Sequence, residues 1–404
     1  MKQEPTRLAG IDWASLTHAV CILDADGRIR ARFDVPNTGK SFAGLLGRLV
    51  KLGVGDVAIE RPDGPLVEAM LEEGFRVFVV APRMLKALRQ RYSATGAKSD
   101  PGDAYVLADV LRTDGHRLKP LHADSPETTI LRALTRTRKD LVEARVGLVN
   151  QLRAQLELCF PGAIGLFAEL DSAVSIAFLR RYPTAHRARS LGEARLSAFL
   201  RRIGYCGRRP VGELLARIKQ APPAGITEAE AEGRGICVLA MLDAIETCNA
   251  RARQLQAEVV ERLEFHRDAQ VFTSLPRAGN GVRAASLLAE IGDVRQRFPD
   301  EESLAALAGV APVTRASGKA RSVGFRWACD KKLRNALIDF ADDSRRASPW
   351  AQAIYSDAIA RGKRHPHAVR ILARAWVRVI WRMWQDGEPY DVTRHGGAAM
   401  LRAA

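Results

Sequence analysis

Residues 7–35 read RLAGIDWASLTHAVCILDADGRIRARFDV. The run holds three short segments of strand character: LAGIDWA at 8–14, HAVCILD at 18–24 and RIRARFDV at 28–35. Asp24-Ala25-Asp26-Gly27 separates the second from the third, and an Asp-Gly pair between alternating runs is a hairpin signal. Downstream, Asn37 and Thr38 are competent N-caps for a helix over 39–52. A buried-type strand is predicted over 54–60, then a helix over 64–73, a strand over 76–80 and a helix over 82–92. The loop 93–99 ends at Asp100-Pro101, an N-cap followed by proline at the first helical position, and that helix runs to about residue 112.

Three antiparallel strands followed by strand–helix alternation is the element order of an α/β ribonuclease-H-like domain. From about residue 125 the pattern changes. Leu131, Leu134, Leu141, Leu148, Leu152 and Leu156 recur at helical spacing, and Pro161-Gly162 ends that run. A polar, Arg-rich stretch follows, and then a second long helical pattern through Val238, Leu242, Ile245, Cys248, Ala252, Leu255, Val259 and Leu263. Two long helices joined by a helical insert fit an antiparallel pair or a coiled-coil arm, and fit an ordinary bundle core equally well. Composition shifts again near Gln270, and the remainder is predicted to be mostly α. The division expected is 1–120, 121–268 and 269–392, with a tail at 393–404.

The chain has 404 residues, 62 Lys and Arg against 46 Asp and Glu, and a formal net charge of +16, a surplus that suits a polyanionic partner. No uncharged apolar run approaches the roughly 20 residues that span a bilayer, and MKQEPTRLAG has no apolar core of a secretory signal. The six cysteines form no C-x-x-C pair, which fits a reducing compartment. A cytoplasmic, nucleoid-associated protein is expected.

Four constellations could carry chemistry. Asp12 ends the first strand, Glu60 ends the fourth, and Asp100 and Asp103 lie at i and i+3 on one helix face. In a ribonuclease-H-like order these places converge at one sheet edge, where carboxylates repel one another unless divalent cations bind them. Taken singly, each has a plainer role as a cap, a first-turn acid or a strand-end polar group. The Gly-rich turn at 274–281 leads into a helix over 282–291, aiming backbone amides at phosphates with Arg277 and Arg283 nearby, although a simple helix–helix turn would look similar. Residues 312–321 read as a small flexible segment that sets Ser317 beside Gly318 among Arg315, Lys319 and Arg321; a serine there needs a base or a metal to react, and a generic basic loop has the same composition. Finally, 362–384 contains no acid, and Arg370, Arg374, Arg378 and Arg382 fall at i+4 steps with Trp376, Trp381 and Trp384 interleaved. An unneutralised stripe of this kind favours phosphate contact over a merely solvated face.

Gly10-Ile11-Asp12, Ile59-Glu60, Lys98-Ser99-Asp100-Pro101-Gly102-Asp103-Ala104 and, far downstream, Leu275-Pro276, Gly279, Gly281, Pro312 and Ser317-Gly318 together resemble the DEDD insertion-sequence transposases of the one-hundred-and-ten group, which include Piv-type DNA invertases. The resemblance covers about 7–115 and 270–392. It implies Mg²⁺, with Mn²⁺ as an alternative, held by Asp12, Glu60, Asp100 and Asp103, and Ser317 as a nucleophile that forms a phosphoserine link to DNA. It further implies a homodimer or homotetramer and, for some members, a noncoding guide RNA. One departure stands out. Phe325-Arg326-Trp327-Ala328-Cys329-Asp330-Lys331-Lys332-Leu333-Arg334 occupies the place where many members carry a basic, glycine-containing stretch. The rival readings are a RuvC-like structure-selective endonuclease, with water in place of Ser317, and a non-catalytic nucleic-acid-binding domesticated transposase.

Overall fold

The computed structural model describes residues 7–92, 98–318 and 320–396. They form two compact units, one made of the chain up to Ser125 with Val294–Pro299, the other of Pro126–Asp293 with Asp300 onward. Among the described residues, no helix is long and apolar enough to cross a membrane.

The first unit is a five-stranded mixed sheet in the order β3-β2-β1-β4-β5, built from β1 (Arg7–Asp12), β2 (Thr17–Leu23), β3 (Ile29–Pro36), β4 (Val54–Ile59) and β5 (Arg76–Val79). β1–β2 and β2–β3 pair antiparallel, while β1–β4 and β4–β5 pair parallel. The turn at Asp24 closes as expected: Gly27 N–H donates to the Asp24 carbonyl, with Gly27 at φ 83°. The helices are α1 (Gly39–Lys51), α2 (Pro65–Glu72), α3 (Pro82–Tyr92) and α4 (Asp100–Asp114). Thr38 caps α1 through its side chain, and Ser99, one residue before the predicted cap, does the same for α4.

Strand alternation sorts the two faces. Ala9, Ile11, Val20, Ile22, Val57 and Ile59 pack with Phe42, Leu45 and Leu49 of α1 and Leu66, Val67 and Met70 of α2. On the opposite face, Ala19, Cys21 and Leu23 meet Ala104 and Ala108 of α4, and Ala58 and Phe78 meet Val106, Leu107 and Val110. Gly10 points to this second face. A Cβ there would lie 2.1 Å from the Ala104 carbonyl oxygen and 2.4 Å from the Ala108 nitrogen, so α4 lies directly on the backbone of β1.

The second unit contains α5 (Pro126–Cys159), α6 (Ala173–Arg181), α7 (Ala185–Ala188), α8 (Glu193–Arg202), α9 (Val211–Gln220), α10 (Glu228–Glu264), α11 (Ala269–Thr273), α12 (Val282–Ile291), α13 (Glu301–Leu307), the strands β6 (Val313–Ser317) and β7 (Ala320–Gly324), then α14 (Lys331–Ser344), α15 (Pro349–Ala360) and α16 (His365–Asp386). α5 and α10 run antiparallel: Thr128 bonds His266, Arg138 bonds Gln256 and Arg234 bonds Gln155, so partner numbers fall as α5 advances. The Arg-rich stretch between them is helical. Phe160, Phe167, Phe178 and Phe199 fill a separate core with Leu152, Leu156, Leu214, Val238, Leu242 and Ile245. The predicted flexible segment around Ser317 is instead an antiparallel hairpin, with Arg315 opposite Ser322 and Ser317 opposite Ala320. Backbone pairing across a tight turn orders residues whose small, polar side chains gave no strand signal.

Gly10→Ala is expected to cost about 3 kcal/mol, because the contacting atoms are helix backbone and cannot yield. Thermal melts followed by circular dichroism check this; a melting temperature within 2 °C or so of wild type would show that α4 does not sit where described.

Candidate active site

The parallel pairing of β1 with β4 puts Ile11 opposite Ile59, so the residues that follow, Asp12 and Glu60, leave the sheet side by side at the same ends of neighbouring strands. α4, pressed onto Gly10, brings its first turn to the same edge. Asp100 opens that helix and is exposed, and Asp103 one turn on is 2% exposed. Asp12 is also buried and Glu60 half-buried. Burial pushes the Asp12 carboxyl up to about 7, and the charges of Asp103, Asp100 and Glu60 add to the rise. The four acids therefore feel one another at one edge of the sheet.

Arg89, on α3, was not singled out by sequence reasoning. Its guanidinium grips Asp103 through Nε to Oδ1 at 2.5 Å and Nη2 to Oδ2 at 2.6 Å. Nothing in Arg89-Gln90-Arg91 distinguishes one arginine from its neighbour beforehand; the pairing arises from how α3 packs on α4. Among the described residues, no group of three or more His, Cys, Asp or Glu side chains is arranged to hold a metal ion as it stands. The donor set nevertheless fits a hard divalent cation: it is all carboxylate oxygen, and its mutual repulsion on Asp12 is the kind that bound positive charge relieves.

The remaining candidates lie in the second unit. Ser317 closes β6 and is exposed, next to Gly318 at φ 55°. Arg315 and Arg321 are exposed on the same hairpin, and Lys319 lies outside the described residues. Arg277 is exposed and Arg283 half-buried, but neither is a loose side chain. Both pair with the buried Asp343, at 3.0 and 2.6 Å, joined by Arg346. Burial alone would raise the Asp343 carboxyl, but these guanidiniums hold it below the usual carboxylate range.

The stripe on α16 is likewise not unneutralised. Arg374 pairs with Glu302, Arg378 with Glu301 at 2.9 Å, and Arg382 with Asp386 at 2.8 Å. Sequence pattern within 362–384 could not reveal partners on α13 or beyond its own end. Arg370 differs from these three, for its guanidinium lies 4.0 Å from the Phe325 ring centroid. Trp376 and Trp384 are core, with Trp376 Nε1 donating to Ser344 Oγ.

Comparison with known proteins adds the following. A DEDD-type transposase family model matches residues 9–161, and a model described as transposase IS116/IS110/IS902 family matches 269–356. The mini-circle putative transposase for IS117 of Streptomyces coelicolor is 33% identical, over 99% of this chain and 98% of its own length. The insertion element IS900 42 kDa protein of Mycobacterium paratuberculosis is 28% identical, over 97% and 98%. Among solved structures, T. thermophilus RuvC in complex with a Holliday junction substrate aligns with 18% identity and a TM-score of 0.24, covering 29% of this chain and 99% of that one.

Arg89→Ala leaves the buried Asp103 without its counter-charge and is expected to destabilise the fold by about 3 kcal/mol. Millimolar Mg²⁺ is expected to restore more of the melting temperature in Arg89→Ala than it adds to wild type, since the ion would then supply the missing charge. Equal Mg²⁺ shifts in the two proteins would count against a metal at this edge.

Proposed function

The chain belongs to the IS116/IS110/IS902 transposase family, and on that premise we propose that it excises and inserts the DNA of a mobile element by serine-mediated transesterification. The observation that carries the reading is the convergence of Asp12, Glu60, Asp100 and Asp103 at one sheet edge, together with an exposed Ser317 on a short basic hairpin. Asp12, Glu60, Asp100 and Asp103 would hold Mg²⁺, with Mn²⁺ as an alternative, and the bound ion would stabilise charge that develops on phosphate oxygens.

Ser317 Oγ attacks a DNA phosphorus. The Oγ–P bond forms as the bond from phosphorus to the leaving strand oxygen breaks; the serine hydroxyl gives up its proton and the leaving oxygen takes one up. Attack by a new strand's hydroxyl reverses the step, so the phosphodiester energy is conserved and no nucleotide cofactor is consumed. Arg315, Arg321 and Lys319 flank the serine in sequence and supply positive charge for the phosphate under attack. Exposed ion pairs such as those of Arg378 and Arg382 are worth about 1 kcal/mol or less, so a DNA phosphate can replace the carboxylate at little cost. In the same reading the protein acts as a homodimer or homotetramer in the cytoplasm at the nucleoid. The basic surplus would also accommodate a noncoding guide RNA that selects the target.

Trapping tests this. Wild type, Ser317→Ala and Asp100→Ala are incubated with Mg²⁺, element-end DNA and any flanking noncoding RNA, then denatured and resolved on a gel. A covalent protein–DNA adduct is expected from wild type and from neither variant. Nicked DNA made equally well by Ser317→Ala but not by Asp100→Ala would mean hydrolysis by a RuvC-like nuclease, with Ser317 uninvolved.

A further inference from the structure

β7 is followed at once by Phe325, Arg326 and Trp327. Trp327 is 72% exposed, unusual for so large an apolar side chain. It is nevertheless held in place. Its ring meets that of Phe325 edge to face, with centroids 4.7 Å apart and planes at 87°. Phe325 is fixed in turn by two guanidiniums, Arg370 at 4.0 Å and Arg334 at 5.3 Å from its centroid.

The chain that carries this platform is basic. From Val313 to Cys329 the chain has Arg315, Lys319, Arg321 and Arg326 and no acid. The first acid after it, Asp330, spends a carboxylate oxygen on the Lys332 and Leu333 amides as the cap of α14. The Nε atoms of Arg326 and Arg370 are buried and, among the described residues, have no hydrogen-bond partner. An exposed aromatic ring beside surplus guanidinium charge is the chemistry that receives a flat π system carrying a phosphate. The acid-free run 313–329 favours a polyanion at this ring over the like-charged hairpin of a second copy.

We propose that Trp327, propped by Phe325, is a stacking platform for an unpaired nucleobase, with Arg334 and Arg370 placed for the adjoining phosphates. The base must be unpaired because duplex stacking covers both of its faces. Trp327 follows the strand that pairs with the one Ser317 closes, at the end of the hairpin away from Ser317, and the platform serves an unpaired stretch of the bound nucleic acid. The inference rests on the recombinase reading for its choice of nucleic acid.

Fluorescence anisotropy tests it, using full-length wild type, Trp327→Ala and Trp327→Phe with a labelled oligothymidylate and a blunt duplex of equal length. Trp327→Ala is expected to weaken single-strand binding about tenfold, leave duplex binding within about twofold, and keep the wild-type melting temperature, since the side chain is exposed. Trp327→Phe should retain most of the affinity. A single strand carrying 2-aminopurine should be quenched by wild type and not by Trp327→Ala, a readout that does not depend on affinity. Unchanged single-strand binding and quenching in Trp327→Ala would overturn the platform while leaving the recombinase reading intact. A fall in oligomeric mass by light scattering with unchanged binding would overturn it too, and would assign Trp327 to contact between copies. Failure of wild type to bind any nucleic acid would remove the recombinase reading and the platform together.

Discussion

The contact on which the first unit depends is that of Gly10 with α4. Only a residue without a side chain lets the Ala104 and Ala108 backbone lie on β1, and the helix that does so carries Asp103 in its first turn. The same strand ends in Asp12, two residues beyond the contact, and its parallel neighbour β4 leads into Glu60. Steric constraint thus fixes the spacing of the acids, with no loop needed to adjust it. Small residues at 104 and 108 complete the arrangement, since bulk on the helix would lift it as surely as bulk on the strand.

Close packing of carboxylates has an electrostatic consequence that the structure handles unevenly. Asp103, the most deeply buried of the four acids, has a bidentate arginine. Asp12 has burial and three negative neighbours, and its carboxyl rises to about 7. Near neutrality that group is poised between its two protonation states, and any cation arriving at the edge shifts it towards the charged one.

Most of the first unit was legible in the sequence because its signals are local. The Asp-Gly turn, the caps before α1 and α4 and the alternation along β1 to β3 each need only a few residues to be read. The bounds of α3 and α12 match the predicted ones, and those of α1, α2 and α4 differ by a residue or two at their ends, where caps rather than periodicity decide. The β6–β7 hairpin was not legible. Thr314, Ser317, Gly318 and Ser322 carry no apolar alternation, and pairing across the turn is what makes them strands. Partners were the other blind spot. Arg89 for Asp103, Asp343 for Arg277 and Arg283, and Glu301 for Arg378 are all set by how helices pack, and sequence spacing alone does not contain them.

Those partners divide the surplus charge by function. Asp343 is 8% exposed at its side chain, so the arginines on it neutralise a buried carboxylate and could leave for a phosphate only at a cost of several kcal/mol. Arg378 and Arg382 stay about 70% exposed in their pairs, so exchange with phosphate there is nearly neutral. Arg315 and Arg321 are exposed on the hairpin that bears Ser317. A net charge of +16 therefore does not describe a uniformly basic surface. Part of it is structural, part is lightly held, and among the described residues Arg315 and Arg321 on the hairpin make no ion pair.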